Sequence, residues 1–483
     1  MSASIWRKKP VERLIAEKEE SRLARSLGPL DLIALGIGAI IGTGIFVLTG
    51  VAAALYAGPA LIVSVIVSGV VAGLAALTYA EMASMIPVSG SAYTYTFAAL
   101  GEFPAWIVGW NIILGYLVAA GAVAMGWGAY FGELLRSLGV ELPPALTHPP
   151  AQGGVINLPA ALFSLAVAGL VTAGTRESAA VNKLVVLVKL AVVVLFVLVG
   201  AWHVDPANWR PFLPYGYAGI MSGAAIIFFA YIGFDAVATA AEEARRPGRD
   251  LPVGIIGSLA ICTLLYVMVT VVLTGLVPYY RLDVASPVAT ALLAAGVTWA
   301  GSLVALGALA GITSVLLAVI YAQSRVFLAM SRDGLLPPWF GRVHPRLRTP
   351  YLNTIFIGGV VALVAGLVPL EVVAQMANIG TLTAFVMVAA GVMILRRTKP
   401  DAPRPFKVPF YPYLPLLSLL FSLYLILSLP RVTLMRFLVW MVLGVLVYFL
   451  YGYWRSDLAP GDQRPRWRFF ASPVAKPRRE RNE

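Results

Sequence analysis

Long apolar stretches separated by short polar connections run along most of the chain. Twelve of these stretches are long enough to cross about 30 Å of hydrocarbon, which takes about 20 apolar residues in a helix. The pattern therefore predicts an all-α membrane protein with 12 transmembrane helices. The predicted spans cover residues 29–55, 58–83, 103–131, 155–173, 184–202, 216–241, 253–278, 298–324, 352–369, 371–395, 412–430 and 433–454.

The first span contains a cluster of glycines. Residues 36–49 read GIGAIIGTGIFVLT, with Thr43 between the last two of four glycines. Each glycine weakens a helix by about 1 kcal/mol relative to alanine. Backbone groups freed by a break need a protein, water or ligand partner, because lipid supplies none. The stretch therefore predicts either a substrate-binding break or a face of small residues for close helix packing.

The sixth span carries a similar interruption. The segments IIGTGIF (40–46) and AYIGFDA (230–236) lie five spans apart along the chain. Because five is odd, the two segments cross the membrane in opposite directions. That arrangement is typical of an inverted-topology repeat, in which paired discontinuous helices form a central substrate site. Chance similarity between two glycine-containing membrane helices is the alternative interpretation.

Breaks in these two spans favour an amino-acid ligand. The N–H groups of Gly42, Thr43 and Gly44 would begin the outer half of span 1 and bind a carboxylate, as helix N-termini do. Free carbonyls within residues 229–232 would accept hydrogen bonds from an ammonium group. Phe229 would then cover the ligand as a gate, although packing against lipid or core is the usual role of a phenylalanine in a span.

The composition and the positions of the charges agree with a membrane protein. The chain is 59% hydrophobic and 12% charged, whereas soluble domains carry about 25% charged residues. Of the 36 Lys and Arg residues, 30 fall in segments assigned to the cytoplasm and five in outer segments. This asymmetry predicts a bacterial inner-membrane protein with both termini cytoplasmic. The net charge of +13 thus predicts contact with membrane lipid or simple topological signalling, and no nucleic-acid partner.

Lys189 is the remaining cation and lies inside the fifth span. A charge at a helix centre costs about 2.5–3.5 kcal/mol on insertion scales, so such residues are usually functional or paired. We therefore predict that Lys189 couples transport to protons, with snorkelling to the inner surface as the alternative. Asp235 is either its partner or a cap for exposed backbone. Thr313 and Ser314 offer hydroxyls for a cation site, but bonds to their own helix are the usual arrangement.

The sequence excludes several kinds of catalytic site. Cys262 is the single cysteine, and the three histidines, His148, His203 and His344, fall in hydrophilic connections. A cysteine-based metal cluster and an intramembrane histidine centre are thus excluded. No GxSxG, HExxH or P-loop motif occurs in a plausible setting. The chain is predicted not to be an enzyme, and no metal or cofactor is expected.

Several long segments resemble one family of transporters. The sequence resembles amino-acid permeases of the APC superfamily, closest to the bacterial relatives of the cationic amino-acid transporter (CAT) family. The resemblance covers about residues 28–455. Its most specific segments are GIGAIIGTGIFVLTG (36–50), PVSGSAYTYTFAALGEFPAWIVGWN (87–111), FFAYIGFDAVATAAEEARRPGRDLP (228–252), RVFLAMSRDGLLPPWF (325–340) and RPFKVPFYP (404–412).

The resemblance implies a 5+5 inverted repeat of the LeuT type, followed by two further helices. It also implies alternating access to a site between spans 1, 3, 6 and 8. The implied units are a basic cytoplasmic tail (1–27), a first repeat of spans 1–5 (28–202), a second repeat of spans 6–10 (203–397), a hairpin of spans 11 and 12 (398–454) and a second basic cytoplasmic tail (455–483).

The family pattern also implies roles for individual residues. Thr43 and Gly44 receive the substrate carboxylate. Lys189 matches the span-5 lysine that, in proton-coupled relatives, takes the place of a sodium ion near spans 1 and 8. The amino group is received by Ile40, Phe229, Ala230 and Ile232, the last three through their carbonyls.

One departure from the family pattern concerns specificity. Relatives carry an acidic residue in span 3 in the context WxLILEY, and Gly115 stands there in this chain. Without that charge a cationic side chain lacks a visible counter-ion. The sequence therefore predicts a proton-coupled symporter of small neutral L-amino acids such as alanine.

Four alternatives stay open from the sequence: a cationic amino-acid transporter, an exchanger, a uniporter and an amino-acid sensor. The exchanger and uniporter would use the same site. The sensor is disfavoured because the tails are short and lack a recognisable output domain. The sequence neither predicts nor excludes a small accessory membrane subunit.

Overall fold

The computed structural model describes residues 5–9, 27–88, 91–173, 179–241, 243–345, 347 and 349–458. Most of the two predicted basic tails and part of the inner turn between spans 4 and 5 lie outside these residues. The secondary structure of the described residues is helical, apart from one isolated parallel bridge between Leu27 and Ala244. The prediction of an all-α chain is confirmed for this part of the sequence.

The α-helices, in chain order, are α1 Pro29–Ile40, α2 Thr49–Ala52, α3 Leu61–Met85, α4 Ser91–Ala99, α5 Glu102–Ser137, α6 Leu158–Thr172, α7 Ala179–Ala201, α8 Gly216–Ile227, α9 Ala236–Thr239, α10 Pro247–Leu276, α11 Pro287–Ala294, α12 Thr298–Arg332, α13 Tyr351–Leu367, α14 Leu370–Thr398, α15 Tyr413–Leu427, α16 Arg431–Val447 and α17 Tyr453–Arg455. π-helical turns at Gly44–Leu48 and Ala53–Ala57 flank α2, and a 3₁₀ turn at Phe228–Tyr231 follows α8.

Many of these helices have the length and composition of membrane spans. Within the described ranges, eight helical stretches are long and apolar enough to cross a bilayer. One of them, Gly44–Met85, runs through the end of predicted span 1 and all of span 2. It turns at Gly58, whose φ is +61°, a value that suits glycine. Of the four shorter apolar helices, α1 forms the first part of predicted span 1, and α6, α13 and α15 coincide with predicted spans 4, 9 and 11.

The first predicted span is interrupted where its glycines cluster. Helix α1 ends at Ile40, and Ile41 is extended with φ −74° and ψ 102°. The chain becomes helical again at Thr43, just before the π-helical turn Gly44–Leu48. The first N–H groups of a helix have no intrahelical acceptor, so those at the start of the outer segment point into the interruption.

The sixth predicted span is interrupted by a different geometry. After α8, the 3₁₀ turn Phe228–Tyr231 ends at Ile232, which is extended with ψ 135°. Gly233 follows with φ +122°, a conformation that L side chains rarely adopt. Helix α9 begins only at Ala236. We call the interruption at 41–42 the first break and that at 232–235 the second break.

Packing places both breaks at the centre of the molecule. Helix α5 packs against α12 and α14, while α10 packs against α1 and α3. Helix α7 contacts α1, α10 and α12. The broken segments lie between these long helices, and Ile41, Ala230 and Phe234 are almost completely buried. The surrounding protein supplies the partners that lipid does not offer to unwound backbone.

The connection between the second and third predicted spans, residues 85–100, carries no charge. Its sequence predicts an interfacial helix lying along the cytoplasmic face. The helix exists as α4, but every one of its residues is buried, and it packs against α5 and α14. Its lack of charge favours this burial. Tyr93, Tyr95 and Phe97 enter the core, and the Tyr93 hydroxyl donates a 2.6 Å hydrogen bond to Asp333.

Candidate functional site

The two breaks contact each other directly. A Cβ atom added to Gly44 would overlap the backbone of Ala230, and one added to Gly233 would lie 2.6 Å from the carbonyl oxygen of Ala39. Real Cβ contacts are essentially never this short, so the chain crossing requires glycine at both positions. The glycines that interrupt the two helices therefore also let their backbones approach each other.

Tyr266 of α10 joins the two breaks from the side. Its hydroxyl lies 2.9 Å from the carbonyl oxygen of Ile40 and 2.9 Å from that of Ala230. These carbonyls belong to two of the four residues expected to receive a substrate amino group. A carbonyl oxygen has two lone pairs, so either one retains acceptor capacity beside the tyrosine. Sequence reasoning missed Tyr266. Nothing in its local sequence indicates that its hydroxyl would donate a hydrogen bond to Ile40, which lies 226 residues earlier in the chain.

A small cavity lies against the two breaks. Its volume is about 40 Å³, and a buried water needs about 10–15 Å³ by this measure. A whole amino acid therefore requires the walls to move outward. The lining residues are Ala39, Ile40, Gly42, Thr43, Gly44, Tyr116, Ala119, Val123, Phe229, Ile232, Gly233, Ala236, Val315, Ala318, Val319 and Ala322.

Six of the seven residues predicted to bind substrate line this cavity. They are Ile40, Gly42, Thr43, Gly44, Phe229 and Ile232. Ala230 is not among the lining residues, since it packs on Gly44 and its carbonyl accepts from Tyr266. The aromatic ring of Phe229 is almost fully buried at the cavity wall, which is compatible with the predicted gate.

The side chain of Thr43 is directed towards α5. Its hydroxyl is 3.3 Å from the carbonyl oxygen of Val123, and a Cβ on Gly126 would overlap it within 2.5–3.0 Å. The hydroxyl thus anchors the first break to α5. The backbone N–H groups of residues 42–44 remain the donors that a carboxylate in the cavity would meet.

Lys189 lies next to the first break. Its side chain is fully buried, and Nζ donates a hydrogen bond of 2.7 Å to the carbonyl oxygen of Gly38 in α1. Its methylene stem packs on Gly311 of α12, where an added Cβ would lie 2.9 Å from Lys189 Cγ. The ammonium group is therefore turned inward to α1 and does not snorkel to the inner surface.

Asp235 forms a second buried polar group beside the cavity. Its Oδ2 accepts a 2.9 Å hydrogen bond from the hydroxyl of Tyr116, a residue that lines the cavity. The other oxygen, Oδ1, is buried and has no hydrogen-bond partner among the described residues. Asp235 immediately precedes α9, but its side chain makes no cap hydrogen bond to that helix, so the predicted capping of exposed backbone is not observed. Sequence reasoning did not identify Tyr116 as its partner.

Two hydroxyls and one glycine contribute less to the site than their positions suggested. Thr313 donates to Leu309 at 2.7 Å and Ser314 to Gly311 at 3.0 Å, so both hydroxyls bond their own helix. Gly115 faces α14, where an added Cβ would lie 3.4 Å from Thr381 Oγ1. An acidic side chain at position 115 would therefore contact α14. Gly115 does not line the cavity, so the absence of an acid at this position does not change the charge of the cavity wall.

No metal centre accompanies this cavity. Within the described part of the chain, no group of three or more His, Cys, Asp or Glu residues could hold a metal ion. Cys262 is free and buried in α10. The groups available to a ligand are thus backbone N–H and carbonyl groups, the Tyr116 hydroxyl and apolar side chains.

Comparison with known proteins places this chain in a family. A family model described as "Amino acid permease" matches residues 27–453. The chain is 49% identical over 464 residues to the branched-chain amino acid permease BcaP of Bacillus subtilis, covering 95% of this chain and 100% of the relative. It is 47% identical over 451 residues to the methylthioribose transporter of the same organism, covering 93% and 98%.

A plant relative extends the comparison to another substrate class. The chain is 39% identical over 412 residues to the vacuolar cationic amino acid transporter 4 of Arabidopsis thaliana, covering 82% of this chain and 68% of the relative. These relatives are named as permeases and transporters, not as enzymes. Together with the long apolar helices, the matches indicate a multi-pass membrane transporter.

The close packing of the two breaks at Gly233 and Ala39 allows a mutational test of the candidate binding site. We expect Gly233→Ala to weaken binding of amino acid by at least about 10-fold, because strained backbone of this kind costs about 1–3 kcal/mol and the added methyl meets Ala39. Gly73→Ala is the matched control, since nothing lies within 4 Å of a Cβ at Gly73. Ligand-induced thermal stabilisation of both purified variants measures the effect, and equal binding by both would contradict the assignment.

Proposed function

The chain belongs to the amino acid permease family of the APC superfamily, and on this premise we propose that it is a proton-coupled symporter of neutral L-amino acids. Its substrates have small or branched apolar side chains, alanine among them. It works by alternating access in the cell membrane of a bacterium, with both termini in the cytoplasm.

The observation that carries this proposal is the pair of crossed breaks at one cavity. The N–H groups of Gly42, Thr43 and Gly44 begin the outer helical segment, where a carboxylate is favoured by the unpaired donors and the helix dipole. Ile40 and Ile232 line the same space, and their carbonyl groups would accept hydrogen bonds from an ammonium group. Opposite ends of one amino acid thus meet opposite kinds of backbone group.

The cavity wall favours an uncharged side chain. From α5 and α12 it presents Ala119, Val123, Val315, Ala318 and Val319, and an apolar wall stabilises aliphatic groups and leaves a charge unsolvated. A named function of one relative, branched-chain amino acid transport, is consistent with such a wall. Asp235 lies in the chain between Gly233 and Ala236, which line the cavity, and one of its oxygens already accepts a hydrogen bond from the hydroxyl of Tyr116.

The position of Lys189 supports proton coupling. The ammonium bonds a carbonyl of α1 only a few residues before the first break, so its charge state affects the helix that binds substrate. A deprotonated amine can no longer offer the same cationic donor to Gly38. Loss of the proton would therefore loosen the contact between α7 and α1 as substrate leaves.

The proposed architecture has 12 spans in two inverted repeats of five, followed by a two-helix hairpin. In alternating access, side-chain contacts on the outer side of the cavity and those on the inner side would break in turn. On the outer side the hydroxyl of Tyr56 donates to Glu371 at the start of α14. On the inner side Arg325 of α12 lies 4.0 Å from Glu243, just before α10.

Uptake by proteoliposomes tests the substrate class. We expect accumulation of alanine, leucine and isoleucine under an inward proton gradient, because their side chains suit the apolar wall. Arginine, lysine and methylthioribose should enter at the rate of protein-free vesicles. Arginine uptake that is abolished by Asp235→Asn would contradict the neutral assignment and favour the cationic alternative, and methylthioribose uptake would contradict the amino-acid assignment.

Replacement of Lys189 tests the coupling. We expect uptake by Lys189→Ala to lose its response to an imposed pH gradient, because no titratable group then contacts Gly38. Thr313→Ala is the control, since that hydroxyl bonds only its own helix and should leave the response intact. A pH response of Lys189→Ala equal to that of wild type would refute the role, and counterflow without proton movement in the wild type would indicate an exchanger.

A further inference from the structure

A second cavity lies at the N-terminal end of α10, and none of its lining residues lines the cavity of the transport site. It has a volume of about 780 Å³. Its walls are the first turns of α10 and the segment that connects α14 to α15. The residues that line it are Arg246, Pro247, Gly248, Arg249, Pro252, Val253, Ile256, Gly257, Pro405 and Phe406. We call this cavity the α10 groove.

The mouth of the α10 groove is basic. Arg246 and Arg249 are both exposed at its rim, and neither forms an ion pair with another residue in the described ranges. The nearby acid Asp250 is almost fully buried and accepts from the backbone N–H of Arg246 at 3.0 Å. Its charge is thus directed to backbone at the helix start, and the two guanidinium groups remain available to an anion.

The floor of the groove is apolar and continues along the helix. Val253, Ile256 and Gly257 form it, and an added Cβ on Gly257 would lie 3.1 Å from Ile33 of α1. Beyond the floor the same face of α10 exposes Ile261 and Leu264. In a helix that spans the membrane, an exposed apolar face of this kind contacts acyl chains.

The far wall of the groove is held in place by a buried ion pair. Glu81 at the end of α3 binds Arg396 of α14 through two hydrogen bonds of 2.8 and 2.5 Å. The same carboxylate accepts from the backbone N–H of Val408 at 2.7 Å. An added Cβ on Gly248 would lie 2.8 Å from Pro405. The connecting segment is therefore fixed against α10, and the groove does not depend on a loose loop.

We propose that the α10 groove binds one anionic phospholipid of the inner leaflet. Its phosphate lies between Arg246 and Arg249, and an acyl chain follows Val253 and Ile256 into the bilayer. The argument for this occupant is charge complementarity at the rim together with apolar surface that leads away from it. Arginine binds phosphate through paired N–H groups, which suits a lipid headgroup. The floor of the groove packs on α1 through Gly257 and Ile33, so the bound lipid would lie on a helix that contacts the first break's own helix.

Lipid titration followed by native mass spectrometry tests the proposal. We expect wild-type protein in detergent to retain one phosphatidylglycerol at concentrations where phosphatidylcholine is not retained. The variant Arg246→Gln/Arg249→Gln should bind phosphatidylglycerol about 10-fold more weakly, since each basic residue near the surface contributes appreciably to anionic-lipid binding. The matched control is Arg332→Gln/Arg342→Gln, which removes two exposed arginines outside the groove and should bind as wild type does.

A second variant tests the acyl-chain contact while both arginines remain in place, and its thermal unfolding shows whether the fold is intact. Ile256→Trp keeps both arginines and fills the groove floor, and it should lose phosphatidylglycerol while its thermal unfolding stays near that of wild type. Equal loss by both arginine pairs would overturn the proposal in favour of diffuse surface charge. Competition by inorganic phosphate as strong as that by phosphatidylglycerol, or unchanged lipid binding by Ile256→Trp, would also overturn it.

Discussion

The structure depends on one constraint: unwound backbone inside a membrane must be satisfied by protein or by a ligand. Two helical segments are interrupted side by side, and a glycine of each segment packs on the other segment, Gly44 on Ala230 and Gly233 on Ala39. Tyr266 supplies a hydroxyl to a carbonyl of each segment. What remains is a set of N–H and carbonyl groups beside a small cavity, and these groups match the two charged ends that all α-amino acids share.

This arrangement divides recognition between backbone and side chains. In the proposed mode of binding, the backbone of the two breaks recognises the groups common to all amino acids, while α5 and α12 face the side chain that differs between them. Lys189 adds a charge that reaches the first break through Gly38. In the proposed mechanism, proton binding and substrate binding would act on the same short stretch of α1, and this shared stretch would couple them. The α10 groove lies against the same helix through Gly257 and Ile33.

Much of the site was predictable because its signals are local. The glycines of one apolar span and the single lysine of another can be recognised from the residues immediately around them. Six of the seven proposed binding residues line one cavity. Contacts between distant segments were not predictable in this way. Tyr266 and the Tyr116–Asp235 bond depend on how helices pack, and Gly115 proved to face α14. Helix α4 was predicted, but its burial follows from a fit to α5 and α14 that no local pattern encodes.

The central claim is that backbone at the two breaks binds both ends of an amino acid, and calorimetric titration of ligand analogues tests it most directly. L-leucine would be compared with isoamylamine, which lacks the carboxylate, and with 4-methylpentanoate, which lacks the ammonium. The account predicts that each deletion weakens binding by roughly 10- to 100-fold, because hydrogen bonds to charged groups contribute about 1.5–3 kcal/mol. Binding of either analogue as tightly as L-leucine would contradict it.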